Sequence, residues 1–402
     1  MSHFIYKCSE CGREFDRDAV RYLCPNCGPQ WRPGEPLRGV LEAVFDSEQI
    51  RKQFDPKRPD WSLFCAVEPK YHPPFPVGNT PLLRVDRLGE MLGFTNLFVK
   101  NDGLNPSGSL KDRASELMVA EAIRLGEERV VTASTGNAAA ALAAACAAAG
   151  KKAVIFVPET SPKPKLAQMI LYGADVIRVK GTYDDAFKLS ISYTDKRGGL
   201  NRNTAYHPLT IEGKKTAALE IYEQMGCKAP AAVVVPVGDG VILAAIHKGF
   251  RDLREAGVIN ELPRLICVQA ESSDAIHHYF TSGSYRNATA PTTIADSIRV
   301  SAPSNARLAK KALEESHGVS VLVSDDEIRR AQRALACTTG IFAEPAAAAA
   351  VAGLEKVDQR KLDRTQQVVL LITGHGLKDI ETALSRVTLP EPVEPTLDAI
   401  PQ

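Results

Sequence analysis

The sequence predicts an α/β protein with parallel strands, preceded by a small cysteine-rich module. Three observations predict it. From about residue 80, short β-branched runs alternate with helical stretches. Strands separated by helices of that length need crossover connections, which yield a parallel sheet covered on both faces. Four of the segments end in glycine- or serine-rich turns that open a helix, and such turns at strand C-terminal ends converge on one crevice.

Taken in order, residues 1–30 hold two Cys-x-x-Cys pairs and almost no periodic apolar pattern. Residues 31–89 read as an N-terminal arm or strap, rich in Pro and Trp, and the start of the large lobe. The expected strands are Leu97–Lys100, Arg129–Thr132, Ala153–Val157, Val176–Val179, Val233–Val237, Leu265–Val268 and Val368–Ile372. Helices are expected at 111–125, 137–149, 163–172, 212–225, 241–255, 326–337 and 346–356. The tail 389–402 carries four prolines and reads as extended. No internal repeat is evident.

Composition excludes several functions. The chain has 402 residues, 44% hydrophobic and 24% charged, the balance of an ordinary globular protein of two or more domains. Its net charge of +1, with no long basic run, offers no attraction to nucleic acid. The longest apolar run, Ala138 to Gly150, is too short to cross a bilayer, and Met1 to Cys11 lacks a signal-peptide stretch, so no membrane is expected. Of nine cysteines only Cys8, Cys11, Cys24 and Cys27 cluster, a usage that fits a reducing, cytoplasmic compartment.

Cys8-Ser-Glu-Cys11 and Cys24-Pro-Asn-Cys27 are separated by twelve residues, and each pair is followed by Gly. Each pair forms a tight turn that aims two sulfurs at one ion, so four thiolates complete a closed, structural zinc site, a zinc ribbon. Two disulfides or four free thiols are the alternative.

Lys111 lies where a strand and loop, Asn101 to Leu110, give way to a helix. The positive end of the helix dipole disfavours its charge, which favours the neutral amine that Schiff-base chemistry requires. A plain surface lysine is the alternative. In Thr132-Ala-Ser134-Thr135-Gly136-Asn137-Ala138, a strand ends in a polar loop that enters an Ala-rich helix. Its free N–H groups and hydroxyls form an anion site suited to a carboxylate, unless these residues serve only as caps. Gly238-Asp239-Gly240-Val241 follows another strand and lets backbone N–H groups approach a phosphate. It lacks the third glycine of a dinucleotide fingerprint. Thr373-Gly374-His375-Gly376 is a fourth such turn.

Together these segments resemble the fold type II pyridoxal-phosphate (PLP) enzymes, and most closely the threonine synthase family. The resemblance spans nearly the whole chain. It is carried by the N-terminal ribbon, Gly78-Asn-Thr-Pro-Leu82, Asn105-Pro-Ser-Gly-Ser-Leu-Lys-Asp-Arg113, Glu212-Gly-Lys-Lys-Thr216, Gly340-Ile-Phe-Ala-Glu-Pro345 and Thr373-Gly-His-Gly-Leu377. It implies two parallel-sheet-containing lobes, a small mobile one at 90–205 and a large PLP-binding one at 206–388, in a homodimer. It implies that Lys111 forms the internal aldimine and shuttles protons. Asn137 would bond the 3′-oxygen, Gly238, Asp239, Gly240 and Val241 would hold the phosphate, and Thr373 would meet the ring nitrogen. Ser134, Thr135, Gly136, Asn137 and Ala138, with Asp239 and Asp296, would contact the amino-acid substrate. The implied reaction converts O-phosphohomoserine and water to threonine and phosphate.

The chain departs from the family pattern around the substrate phosphate. Ala138 follows Asn137 where Thr is usual, Thr210 stands at the arginine position, and Asp239 and Asp296 add carboxylates. Replacing arginine by threonine removes charge-assisted bonds of about 1.5–3 kcal/mol each. A carboxylate near a dianion opposes binding further. Unless Arg202, His207 or Lys214 supplies the positive charge, the substrate is a different, unphosphorylated amino acid handled by a PLP lyase, dehydratase or replacement enzyme. A non-catalytic binding homologue is the remaining alternative.

Overall fold

A computed structural model describes residues 4–32, 34–161, 163–358, 360–384, 390–396, 398 and 400, so part of the tail 389–402 lies outside the described residues. The N-terminal residues form a three-stranded antiparallel sheet, order β2-β1-β3, from Phe4–Cys8 (β1), Glu14–Asp16 (β2) and Leu41–Phe45 (β3). Its third strand comes from beyond residue 30. The alternating burial of β3, with Leu41, Ala43 and Phe45 inside, seats the module on the rest of the protein.

The main body has two sheets. The larger has six strands in the order β12-β11-β10-β13-β5-β4. They are Leu82–Arg84 (β4), Leu97–Asn101 (β5), Ala232–Pro236 (β10), Arg264–Ala270 (β11), Val319–Val323 (β12) and Val368–Ile372 (β13). The smaller, order β8-β7-β6-β9, joins Arg129–Ala133 (β6), Lys152–Pro158 (β7), Asp175–Val179 (β8) and Leu200–Asn201 (β9). All pairs are parallel except β4 with β5, an antiparallel edge. β5, inside the 90–205 segment, pairs with β13 in the larger sheet.

Strands β10 and β13 are fully buried along their length. Both are continuous apolar runs, Ala-Val-Val-Val-Pro and Val-Val-Leu-Leu-Ile, because helices cover both faces. All seven strands expected from the sequence are present, with ends within two residues. Helices Lys111–Leu125 and Val241–Glu255 fall on the expected residues. Strand β12 and helix Tyr183–Arg197 were not foreseen, since Val-Ser-Val-Leu-Val is short and the helix mixes polar and apolar residues without a clean stripe.

The Lys111–Leu125 helix is pinned to the larger lobe by a buried ionic cluster. Arg113 donates through Nε to Asp102 (2.6 Å) and through Nη1 to Glu220 (2.6 Å), and Lys100 reaches the same Glu220 at 2.5 Å. Asp112 accepts from the Ser107 N–H and hydroxyl at 2.8 and 2.6 Å. The two residues after Lys111 are thus locked by opposite-charge and hydrogen-bond partners, which fixes the direction in which the lysine leaves the helix.

Candidate active site

Three loops are laced together beside Lys111. The Leu110 N–H donates to the Thr373 carbonyl at 2.9 Å, and His375 N–H to the Gly108 carbonyl at 2.9 Å. Glu344 N–H donates to the Gly374 carbonyl at 3.0 Å, and Gly376 N–H to the Phe342 carbonyl at 2.8 Å. This backbone lacing sets Lys111, Thr373 and Glu344 at fixed positions on one wall of a cavity of about 670 Å³. That size accommodates a small-molecule site.

The cavity brings together most of the residues singled out from the sequence. Lys111, Ser134, Thr135, Asn137, Gly238, Asp239, Gly240, Val241, Asp296 and Thr373 all line it. Gly136 and Ala138 are not among its lining residues; Gly136 caps the helix Asn137–Ala148, and Ala138 is its second residue. Thr210 is fully buried and also off the wall, its hydroxyl donating to the His207 carbonyl (2.8 Å) and accepting from the Ala205 N–H (3.1 Å).

Lys111 is the first residue of its helix, and its ammonium has no hydrogen-bond partner among the described residues. Burial brings its pKa down to about 8, with Glu344 and Asp239 opposing and Arg202 assisting the shift. A partnerless amine of depressed basicity in a cavity is suited to nucleophilic attack on a carbonyl. Across from it, β10 runs into the turn Gly238–Gly240 and the helix Val241–Glu255. Gly240 has φ +86°, a left-handed conformation that glycine adopts without strain, and it opens the helix toward the cavity. The first N–H groups of a helix have no internal partner and bind an anion such as a phosphate.

Asp239 is held by Ser304, whose N–H and hydroxyl lie 2.6 and 2.7–2.8 Å from its carboxylate. Burial pushes its pKa up. Asp296 pairs with Arg299 at 2.6 Å. Each added carboxylate therefore has its own partner.

Several lining residues were not singled out. Glu344 is buried, with a pKa raised by burial, and accepts from the Asn137 amide at 3.1 and 3.0 Å. It lies within Gly340–Pro345, so the signal was present without a role attached. Trp31, Glu35 and Leu37 from the N-terminal arm and Tyr183 and Phe187 from the unforeseen helix also line the cavity. The arm is tied down by Leu37 N–H to the Ser304 carbonyl (2.8 Å) and by Asn287 Nδ2 to the Gly34 carbonyl (2.8 Å).

The four clustered cysteines meet as their spacing predicts. Their sulfurs all lie within 4.8 Å of one another, with Cys8, Cys24 and Cys27 buried and Cys11 exposed. Cys11 and Cys24 Sγ are 3.8 Å apart, about the edge of a tetrahedron with zinc–sulfur bonds of ~2.3 Å. The donor set therefore fits a tetrahedral thiophilic ion. The same module braces the active-site loop 201–207: Tyr22 stacks on Tyr206 (4.7 Å, 21°) and accepts from the Asn201 N–H at 3.1 Å.

A profile of the pyridoxal-phosphate dependent enzyme family matches residues 74–374. The threonine synthase of Methanosarcina acetivorans is 38% identical over 405 residues, covering 98% of this chain and 97% of that protein. That of Methanocaldococcus jannaschii is 36% identical over 415 residues, covering 97% and 96%. The processed form of threonine deaminase isoform 2 from Solanum lycopersicum superposes with a TM-score of 0.66 at 24% identity, over 76% of this chain and 86% of that one, a likeness of fold.

Proposed function

The chain belongs to the threonine synthase family of pyridoxal-phosphate dependent enzymes, and we propose that it converts O-phosphohomoserine and water to threonine and phosphate at the Lys111 cavity. The observation that carries the reading is the partnerless Lys111 amine sharing one cavity with the helix start at Gly238–Gly240.

The cofactor supplies an electrophilic carbonyl and a ring that takes up negative charge from the substrate's α-carbon. Lys111 holds the carbonyl carbon and moves protons at the α- and β-carbons. Gly238, Asp239, Gly240 and Val241 hold the phosphate at the helix N-terminus. The Thr373 hydroxyl meets the ring nitrogen, where a neutral partner leaves the ring a milder electron sink than a carboxylate would. Asn137, poised by Glu344, gives one of its two N–H donors to the ring oxygen. Ser134, Thr135 and the start of the Asn137–Ala148 helix, Gly136 and Ala138 included, take the substrate carboxylate. Asp239 and Asp296 border the substrate's side chain.

The smaller sheet, β6 to β9 within the 90–205 segment, closes on the larger one, which takes β5 from that segment besides the strands of 206–388, while the arm that begins at residue 31 covers the mouth and excludes water. Cys8, Cys11, Cys24 and Cys27 bind a structural zinc ion in a ribbon centred on residues 1–30. Nine cysteines without a disulfide fit a cytoplasmic location, and exposed Leu104 and Leu377 offer apolar surface to a second copy in a homodimer. The defining experiment incubates holoenzyme with O-phosphohomoserine and follows phosphate and threonine together. Equimolar release of both is expected. Release of neither overturns the assignment, and a ketoacid formed from another amino acid assigns a dehydratase instead.

A further inference from the structure

We propose that Lys214, backed by Arg202, holds the phosphate monoester of the substrate in place of the missing arginine at position 210. The inference rests on the reaction assigned above and names the residues that make a phosphorylated substrate acceptable.

Buried cations in proteins are paired, because an isolated one loses its hydration without compensation. This protein follows that rule elsewhere. Arg113 is matched by Asp102 and Glu220, and Lys215 by Glu212 (2.5 Å) and Asp252 (2.8 Å). Lys214 and Arg202 break it. Lys214 is 1% exposed and Arg202 is fully buried, yet neither has a carboxylate partner among the described residues. Lys214 Nζ donates to the Thr210 carbonyl at 3.0 Å. Arg202 donates through Nε to Ser115 (3.3 Å) and through Nη1 to Thr204 (3.1 Å), while Nη2 has no partner.

Both are placed to act on the cavity. Lys214 lines it, and so does Thr204, the residue that receives the Arg202 bond. Lys214 lies four residues after Thr210 on the helix Leu209–Gln224, hence on the same face one turn later. Its bond to the Thr210 carbonyl shows the side chain folded back over that turn. The charge absent at 210 is thus restored from 214. His207 does not compete for the role, since burial pulls its pKa down to about 3 and it stays neutral.

Electrostatics agree with this placement. Burial brings the Arg202 pKa down to about 10. It also holds that of Lys214 well below the ordinary lysine value, with the charges of Arg202 and Lys111 adding to the shift and Asp239 opposing it. Three basic groups held this close repel one another until an anion enters. A dianion between them relieves that repulsion and stabilises the charged form of Lys214.

The test compares wild-type holoenzyme with Lys214→Gln, Lys214→Met and Lys214→Arg, using inorganic phosphate and O-phosphohomoserine as probes. The Gln and Met variants should raise KM for O-phosphohomoserine about 10- to 100-fold. Inhibition by inorganic phosphate should weaken by a like factor, and Lys214→Arg should recover part of both. Cofactor content and the visible spectrum should match wild type. In the Gln and Met variants the melting temperature should be unchanged or raised, and inorganic phosphate should raise it in wild type and in part in Lys214→Arg, but not in Gln or Met. Unchanged KM and phosphate inhibition in a cofactor-loaded Met variant would overturn the proposal. So would a loss of cofactor affinity with KM intact, which would assign Lys214 to the cofactor's phosphate. Wild type that binds inorganic phosphate through Lys214 yet leaves O-phosphohomoserine untouched would sink the assigned reaction and not the anion site.

Discussion

The Asn137 side-chain amide lies 3.1 and 3.0 Å from the two carboxylate oxygens of Glu344, a residue 207 positions further along the chain. The bond joins the helix that opens at β6 to the loop laced against β13, so it spans the two sheets at the cavity wall.

Loss of this bond should be felt by the cofactor. Glu344→Ala leaves the Asn137 amide, among the described residues, with only the longer contact to the Ser297 hydroxyl, 3.4 Å, and uncovers the Gly374 turn. Cofactor retention should fall about 10-fold, the worth of one charge-assisted hydrogen bond. Equilibrium dialysis of the holoenzyme measures it; retention within twofold of wild type would exclude a role for the pair.

Lys111 sets a pH dependence. Its folded pKa, brought down to about 8 by burial, lies below the ordinary lysine value of 10.5. The reactive neutral amine therefore accumulates as pH rises through 8. The rate at which apoenzyme acquires its visible band on mixing with pyridoxal phosphate should climb about tenfold per unit below pH 8 and level above it. A rate still climbing steeply beyond pH 9.5 would contradict the depressed basicity. Lys111→Ala should show no such band.

The cysteine cluster should hold about one zinc per chain, measured by elemental analysis of purified protein. Double substitution of Cys8 and Cys24 by Ser should abolish it, lower the melting temperature and, through Tyr22 and the loop at Tyr206, raise KM for the substrate. Metal-free protein with full thermal stability would refute a structural ion.

Gly213 tests packing. A Cβ there would fall 2.3 Å from the Arg113 carbonyl oxygen and 2.7 Å from Ala114 Cα, where the helices Lys111–Leu125 and Leu209–Gln224 cross. Both are backbone atoms that cannot swing aside. Gly213→Ala should destabilise the protein by about 3 kcal/mol, read from denaturant unfolding, whereas a change below about 0.5 kcal/mol would mean that the helices part easily.

Much of this architecture is legible in the sequence where the pattern is local. Unbroken runs such as Val368–Ile372 announce buried strands, and the turns after them place Lys111, Asn137, Gly238 and Thr373 around one crevice. What could not be read depends on contacts between distant segments. Nothing near Glu344 says that it meets Asn137, and nothing near Trp31 or Tyr183 says that they share a cavity. Thr210 stands out in the sequence as an uncharged residue, but only the folded helix shows Lys214 reaching back over the same turn. Strand β4 runs antiparallel to β5 at the sheet edge even though a helix, Asp86–Leu92, lies between them, a detail that β-branched content alone does not reveal.

The Tyr22–Tyr206 stack has a temporal implication. Tyr22 leaves the ribosome well before its partners, since the Asn201 N–H it receives lies 179 positions further along the chain and Tyr206 later still. Pairings so remote in the chain close slowly. Until those residues are made, the Tyr22 ring has no stacking partner in the loop, so this face of the module stays open for that interval, when non-native contacts compete.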